Sequence, residues 1–221
     1  SSERSSHGPV GPGMIQDLLE ALESGPKPRL ASVSLHGCDL SGTVTSSLLA
    51  RALGALHGLT SLCLVGTQLA SCTHASTQLF DLLRERGRLA KPLEILDLSK
   101  NNLTASATSF AATDALAHLV AESPALRVLR LDDCSLTAAG ARPILEAAVQ
   151  HRTLEELFIG GNTAGSVAAT AATELLSIHG GALLRLNLEG NGLRERDVEK
   201  LAMDLRGDPR AVWIRVGYHP R

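Results

Sequence analysis

Residues Leu126–Leu136 read LRVLRLDDCSL. The leucines fall at steps of three, two and five, and a cysteine stands two places before the last one. The middle of the stretch alternates apolar and other residues as a short strand does, leaving Leu129 and Leu131 on one side and Val128, Arg130 and Asp132 on the other. A single match of this kind carries little weight. Its recurrence along the chain gives it meaning.

The same spacing starts at Leu30 (Val33, Leu35, Cys38, Leu40), Leu59 (Leu62, Leu64, Thr67, Leu69) and Leu93 (Leu96, Leu98, Asn101, Leu103). After Leu126 it returns at Leu154 (Leu157, Ile159, Asn162, Ala164) and Leu183 (Leu186, Leu188, Asn191, Leu193), with a degraded copy at Ala211 (Ile214, Val216). The starts at 30, 59, 93, 126, 154, 183 and 211 differ by 29, 34, 33, 28, 29 and 28. The ninth position is Cys, Thr, Asn, Cys, Asn and Asn in the six fuller copies. All are small and can donate a hydrogen bond. The chain turns there, and buried carbonyls of neighbouring turns need partners.

Between these strands the pattern changes to a helical one. Leu136–Leu157 carries Ile144, Leu145, Ala148 and Val149 at helical spacing, with Pro143 expected in a first turn, where proline is tolerated. Segments 44–56, 76–87, 107–121, 166–178 and 195–205 read likewise. Helices pack about 8–10 Å apart and paired strands about 4.8 Å, so a layer of each, joined repeat by repeat, bends with the strands inside. The expected fold is an α/β solenoid, a horseshoe arc of six or seven repeats with a parallel sheet on its concave face and helices on its convex face. The spacing L-x-x-L-x-L-x-x-N/C-x-L and these repeat lengths resemble leucine-rich repeats of the ribonuclease-inhibitor-like class. The resemblance covers about residues 14–216, and its motifs specify a fold and not an activity.

The 221 residues form one array on this reading, with 44% apolar and only 2% aromatic residues, so leucine and alanine supply the core. The net charge is −2 with no basic block, which gives nucleic acid or an anionic membrane no electrostatic support. No run approaches the roughly 18 apolar residues that span a bilayer. Four cysteines do not form a disulfide framework: Cys38 and Cys134 hold ninth positions, Cys63 a strand and Cys72 a loop. A reducing, cytoplasmic home is expected.

Residues 1–13, SSERSSHGPVGPG, read as a flexible linker or tag, and the Pro9–Pro12 P-x-x-P as composition. Met14–Glu23 places Ile15, Leu18, Leu19 and Leu22 on one helical face. Residues 14–25 are thus either an N-terminal cap or the helix of an earlier repeat. The repeats starting at Leu59 and Leu93 are longer, and Ala70–Gln78 and Ala105–Asp114 are where added surface loops are expected. Residues 195–221 close the array, with Trp213 and Tyr218 expected to cover its end.

The third, fifth and seventh positions of each strand are expected to point from the concave face. The first two rows are small and nearly uncharged: Ser32, Ser34 and His36, then Ser61, Cys63 and Val65. From the third copy the face alternates acid and base with aromatic residues among them. A protein-binding surface is expected over Asp97, Arg130, Asp132, Glu156, Phe158, Arg185, Asn187, Glu189, Trp213 and Arg215, because aromatic and arginine side chains are the usual interface anchors. Cys38, Cys63, Cys72, His36 and His74 fall in the first two repeats, but Cys72-x-His74 is not a specific ligand spacing. No G-x-S-x-G elbow and no phosphate-cradling G-x-x-x-x-G-K-[ST] occurs. His57, His118, His151 and His179 fall near helix ends, where cations are favoured.

The reading that results is a protein-interaction module, a scaffold or adaptor and not an enzyme, with a protein partner and no cofactor, metal, nucleic acid, membrane or small-molecule substrate. The resemblance also admits two alternatives. One is a regulator of the Ran GTPase-activating type, which the absence of an acidic tail after His219-Pro220-Arg221 disfavours. The other is the ligand-sensing domain of a nucleotide-binding innate-immune receptor, which requires a nucleotide-binding module outside this sequence.

Overall fold

The computed structural model describes residues 12–24, 30–69, 73–104, 110–177, 182–206 and 212–217. Helix and strand alternate throughout: α1 (Pro12–Ser24), β1 (Ser32–Ser34), α2 (Thr43–Ala55), β2 (Ser61–Cys63), α3 (Thr73–Leu89), β3 (Ile95–Asp97), α4 (Ala111–Ala121), β4 (Val128–Arg130), α5 (Ala138–Val149), β5 (Glu156–Phe158), α6 (Ser166–Ser177), β6 (Arg185–Asn187), α7 (Glu195–Arg206) and β7 (Trp213–Arg215). The strands form one open, all-parallel sheet in sequence order. Its register is uniform, with Val33, Leu62, Leu96, Leu129, Leu157, Leu186 and Ile214 side by side. The molecule is an α/β solenoid arc, sheet inside and helices outside, as the repeat spacing requires.

The core lies between the two layers. The middle strand leucines meet the helix faces, and Leu59, Leu93, Leu126, Leu154 and Leu183, which open the repeats, are buried as well. Small residues let the helices approach: Ala112, Ala115 and Ala117 in α4 and Ala168, Ala169, Ala171 and Ala172 in α6 are buried. Helix α1 packs on α2 in the helix layer, through Ile15 and Leu19. Leu18 departs from the expected face and is exposed.

The ninth positions hold successive turns together. Asn101 donates to Leu64 O at 2.6 Å and Leu98 O at 2.8 Å, while its Oδ1 accepts from the Thr67 and Leu69 amides at 3.1 and 3.3 Å. Asn162 repeats this, donating to Leu131 O and Ile159 O and accepting from the Cys134 and Leu136 amides. Asn191 donates to Ile159 O and Leu188 O. Cys134 has only a thiol to offer and gives it to Leu98 O at 3.2 Å.

Several expectations change here. Pro143 is not in a first turn. The Thr137 side chain accepts from the Gly140 amide at 3.3 Å and starts α5 five residues earlier, so proline sits inside the helix. Of the surface loop expected over Ala70–Gln78, residues 73–78 are helical instead. Residues 73–78 belong to α3, at 17 residues the longest helix among the described residues, and 70–72 lie outside them. Helix α4 begins at Ala111 rather than 107, and residues 105–109 of the other expected loop lie outside the described residues. So do Cys72, His179, Tyr218 and nearly all of the expected linker.

One buried group had no signal in the repeat pattern. Arg86, on α3, is buried, and among the described residues no acid pairs with it. Its Nη2 donates to Leu56 O and Leu59 O at 2.7 Å each, Nε to Leu56 O at 3.1 Å, and Nη1 to Lys91 O at 3.1 Å. Leu56 O and Leu59 O lie where α2 ends and the next strand approaches, the negative end of that helix, and Lys91 O follows the end of α3. His151 acts alike after α5, its Nε2 standing 2.6 Å from Val120 O near the end of α4.

Candidate functional site

The strands are three residues long, so their first and last side chains both leave the sheet on the concave side. The uniform register turns them into rows that cross the strands. Ile95, Val128, Glu156, Arg185 and Trp213 form one row, and Asp97, Arg130, Phe158, Asn187 and Arg215 form the next. Asp132 and Glu189 stand in the turns just beyond. All ten residues anticipated for the face therefore fall on one continuous surface. The seventh positions are less open than expected, since the chain is already turning there: Val65, Ser99 and Gly160 are buried.

The side chains are interlocked. Glu156 accepts from Arg130 Nη2 at 2.8 Å through one oxygen and from Arg185 Nη1 at 2.6 Å through the other. Arg130 also lies over the Phe158 ring, its guanidinium carbon 5.1 Å from the centroid. Phe158 in turn meets Trp213 with centroids 6.4 Å apart and planes tilted by 45°. Arg215 pairs with Glu189 at 2.6 Å. Two neighbouring features could not be read from the third, fifth and seventh positions alone: an exposed bidentate pair, Arg127–Glu155, and an exposed Leu184 beside Arg185.

Two expectations are refined by this packing. Phe158 is half-buried, not freely exposed, because Arg130 and Trp213 cover it. Trp213 does not cover the end of the array: it is 49% exposed and rests on Phe158 within the concave face.

Asp132 is held by a contact that skips a strand. Its Oδ1 accepts from the Gly160 amide at 2.5 Å and from Asn187 Nδ2 at 3.0 Å, two repeats away. The reach depends on Gly160, where a Cβ would come within 2.5 Å of Asn187 Nδ2 and 3.0 Å of Asp132 Oδ1. Burial raises the Asp132 carboxyl, and the charges of Asp133 and Asp97 add to this against the two hydrogen bonds. For Glu156, burial pulls upward, but the hydrogen bonds and charges of Arg130 and Arg185 outweigh it and leave the carboxyl below its ordinary value. It stays ionised and keeps both arginines in place. Asp97 accepts from the Ser99 amide at 3.0 Å.

At the other end of the sheet Ser32, Ser34, Ser61 and Cys63 present a small, uncharged surface. Cys38, Cys63 and Cys134 are free thiols, and burial raises Cys134 to about 12. Among the described residues no three His, Cys, Asp or Glu side chains are grouped to hold a metal ion, and no helix is long and apolar enough to cross a membrane.

The arrangement joins ion-paired guanidiniums to two tilted rings in contact on one sheet. Compared with known proteins, the chain matches no family model. No curated protein matches it either.

Proposed function

We propose that this chain is a leucine-rich repeat domain of the ribonuclease-inhibitor-like class that binds a protein partner through its concave face, as a scaffold or adaptor and not as an enzyme. The observation that carries this reading is the Arg130–Phe158–Trp213 contact beside the Arg130–Glu156–Arg185 bridge. Aromatic and arginine side chains dominate binding energy where they are held in place, and here neighbouring strands hold them. An apolar ring kept half-open on a sheet is a feature that a partner would cover. Three unpaired thiols support an intracellular setting.

The test is site-specific photocrosslinking in cells. A photoreactive phenylalanine analogue at Asn187 should give a discrete adduct, and one at Glu146 on the exposed side of α5 should not. The adduct should vanish in the combined Arg130→Ala, Phe158→Ala and Arg185→Ala variant while its circular dichroism stays unchanged. An adduct that survives in this folded variant places the partner elsewhere and ends the reading.

A further inference from the structure

Resting on the reading that this face takes a polypeptide, we propose that its occupant is an acidic extended segment, with carboxylates on Arg130, Arg185 and Arg215 and an apolar side chain on Trp213. The argument is one of donors and acceptors. In each ion pair the acid is the deeper partner. Glu156 is 14% exposed beneath Arg130 at 41% and Arg185 at 58%, and Glu189 is 33% exposed beside Arg215 at 55%. A guanidinium carries five N–H donors in a planar fork. Among the described residues each of these three gives one nitrogen to its glutamate while its side chain stays 41–58% exposed, and the Nε of Arg130 is buried without a partner.

The acceptors are used inward. Glu156 serves two arginines, and Asp132 takes the Gly160 amide and the Asn187 side chain. Around Arg130 and Arg185 the nearby acceptors are therefore already engaged, and carboxylates match a guanidinium fork two oxygens at a time. The arginines are pre-positioned by the acids beneath them, which lowers the cost of ordering them on binding. A basic segment would have to reach Glu156 past two guanidiniums of its own sign. A polynucleotide brings phosphates at every step, and they would meet Asp97 and Glu189 on the same face of a chain whose net charge is −2. A peptide with a few carboxylates separated by apolar residues can set its charges against the arginines and its uncharged side chains opposite Asp97 and Glu189.

The chain's only tryptophan, Trp213, is in the proposed site, so its fluorescence reports occupancy directly. The full chain is titrated with dodecapeptides alternating Glu–Leu, Lys–Leu or Ser–Leu, and with an oligothymidylate. The expected result is a Trp213 emission change with the Glu–Leu peptide alone. That affinity should fall about tenfold or more in the Arg185→Glu, Arg215→Glu variant and as salt is raised. Arg185→Gln, a gentler change, should weaken it by a smaller factor. Equal or tighter binding of the Lys–Leu or Ser–Leu peptide overturns the acidic occupant and leaves the binding face standing. Tighter binding of the oligothymidylate overturns it in favour of a nucleic acid. No response to any probe also overturns it, and the crosslinking experiment then decides separately whether the face binds protein.

Discussion

A single amide side chain shows how this fold is specified. Asn162 satisfies carbonyls in its own turn and the one before it, and accepts two amides from the preceding repeat. Replacing it with leucine removes the donor and the acceptor together in a dry site, at a cost of roughly 1–3 kcal/mol, measurable by urea denaturation. The sequence shows that a small polar residue belongs there, but the accepting half of the role is hidden, because Cys134 at the same position is only a weak acceptor. That cysteine gives a second prediction. Burial holds its thiol near 12, against 9.0 when exposed. The folded protein then binds the proton more tightly than the unfolded chain. The associated stability is complete below pH 9 and is lost as pH rises from there toward 12. Cys134→Ser should remove that alkaline slope in denaturation curves, and native Cys134 should resist alkylation at pH 8 until the protein unfolds.

At the scale of elements, strands are easier to foresee than helix ends. Each strand is marked by fixed leucine steps, and its register follows once the copies are aligned. Helices carry a looser apolar spacing and tolerate added residues, so the growth of α3 and the early start of α5 were not legible. Thr137 carried a usable signal as a capping residue three places before Gly140. Arg86 carried none, since any position on α3 could hold an arginine at the surface. Its removal should nonetheless matter. Arg86→Met removes the guanidinium donor from the buried Leu59 carbonyl and leaves Leu56 O with the Leu59 amide alone, and should cost about 3 kcal/mol. Hydrogen exchange in the variant should rise first in the last turn of α2. A variant as stable as the parent would show that water replaces the guanidinium there.

For the whole molecule, stability is a sum over neighbouring repeats. Seven residues of α4, six of α5 and six of α6 are buried, against Leu201 alone in α7. Hydrogen exchange should accordingly be slowest in β4, β5 and their flanking helices and fastest in α7 and β7. Uniform protection along the chain would contradict this nearest-neighbour picture. The candidate site was legible as a set of positions, because the alternation that buries leucine also decides which residues face outward. Its connections were not legible. That Glu156 joins two arginines, and that Asn187 passes over Gly160 to reach Asp132, depends on side-chain lengths across strands.

The arc also separates two kinds of change. Repeat starts are spaced by anything from 28 to 34 residues, yet every strand meets the next without a slip. Insertions are absorbed on the outer side, where α3 has already taken them. Mutational tolerance should thus be lopsided. The back of the arc can drift in length from one descendant to another without altering the alignment of the grip, whereas one residue gained inside a strand would rotate the binding surface into the core.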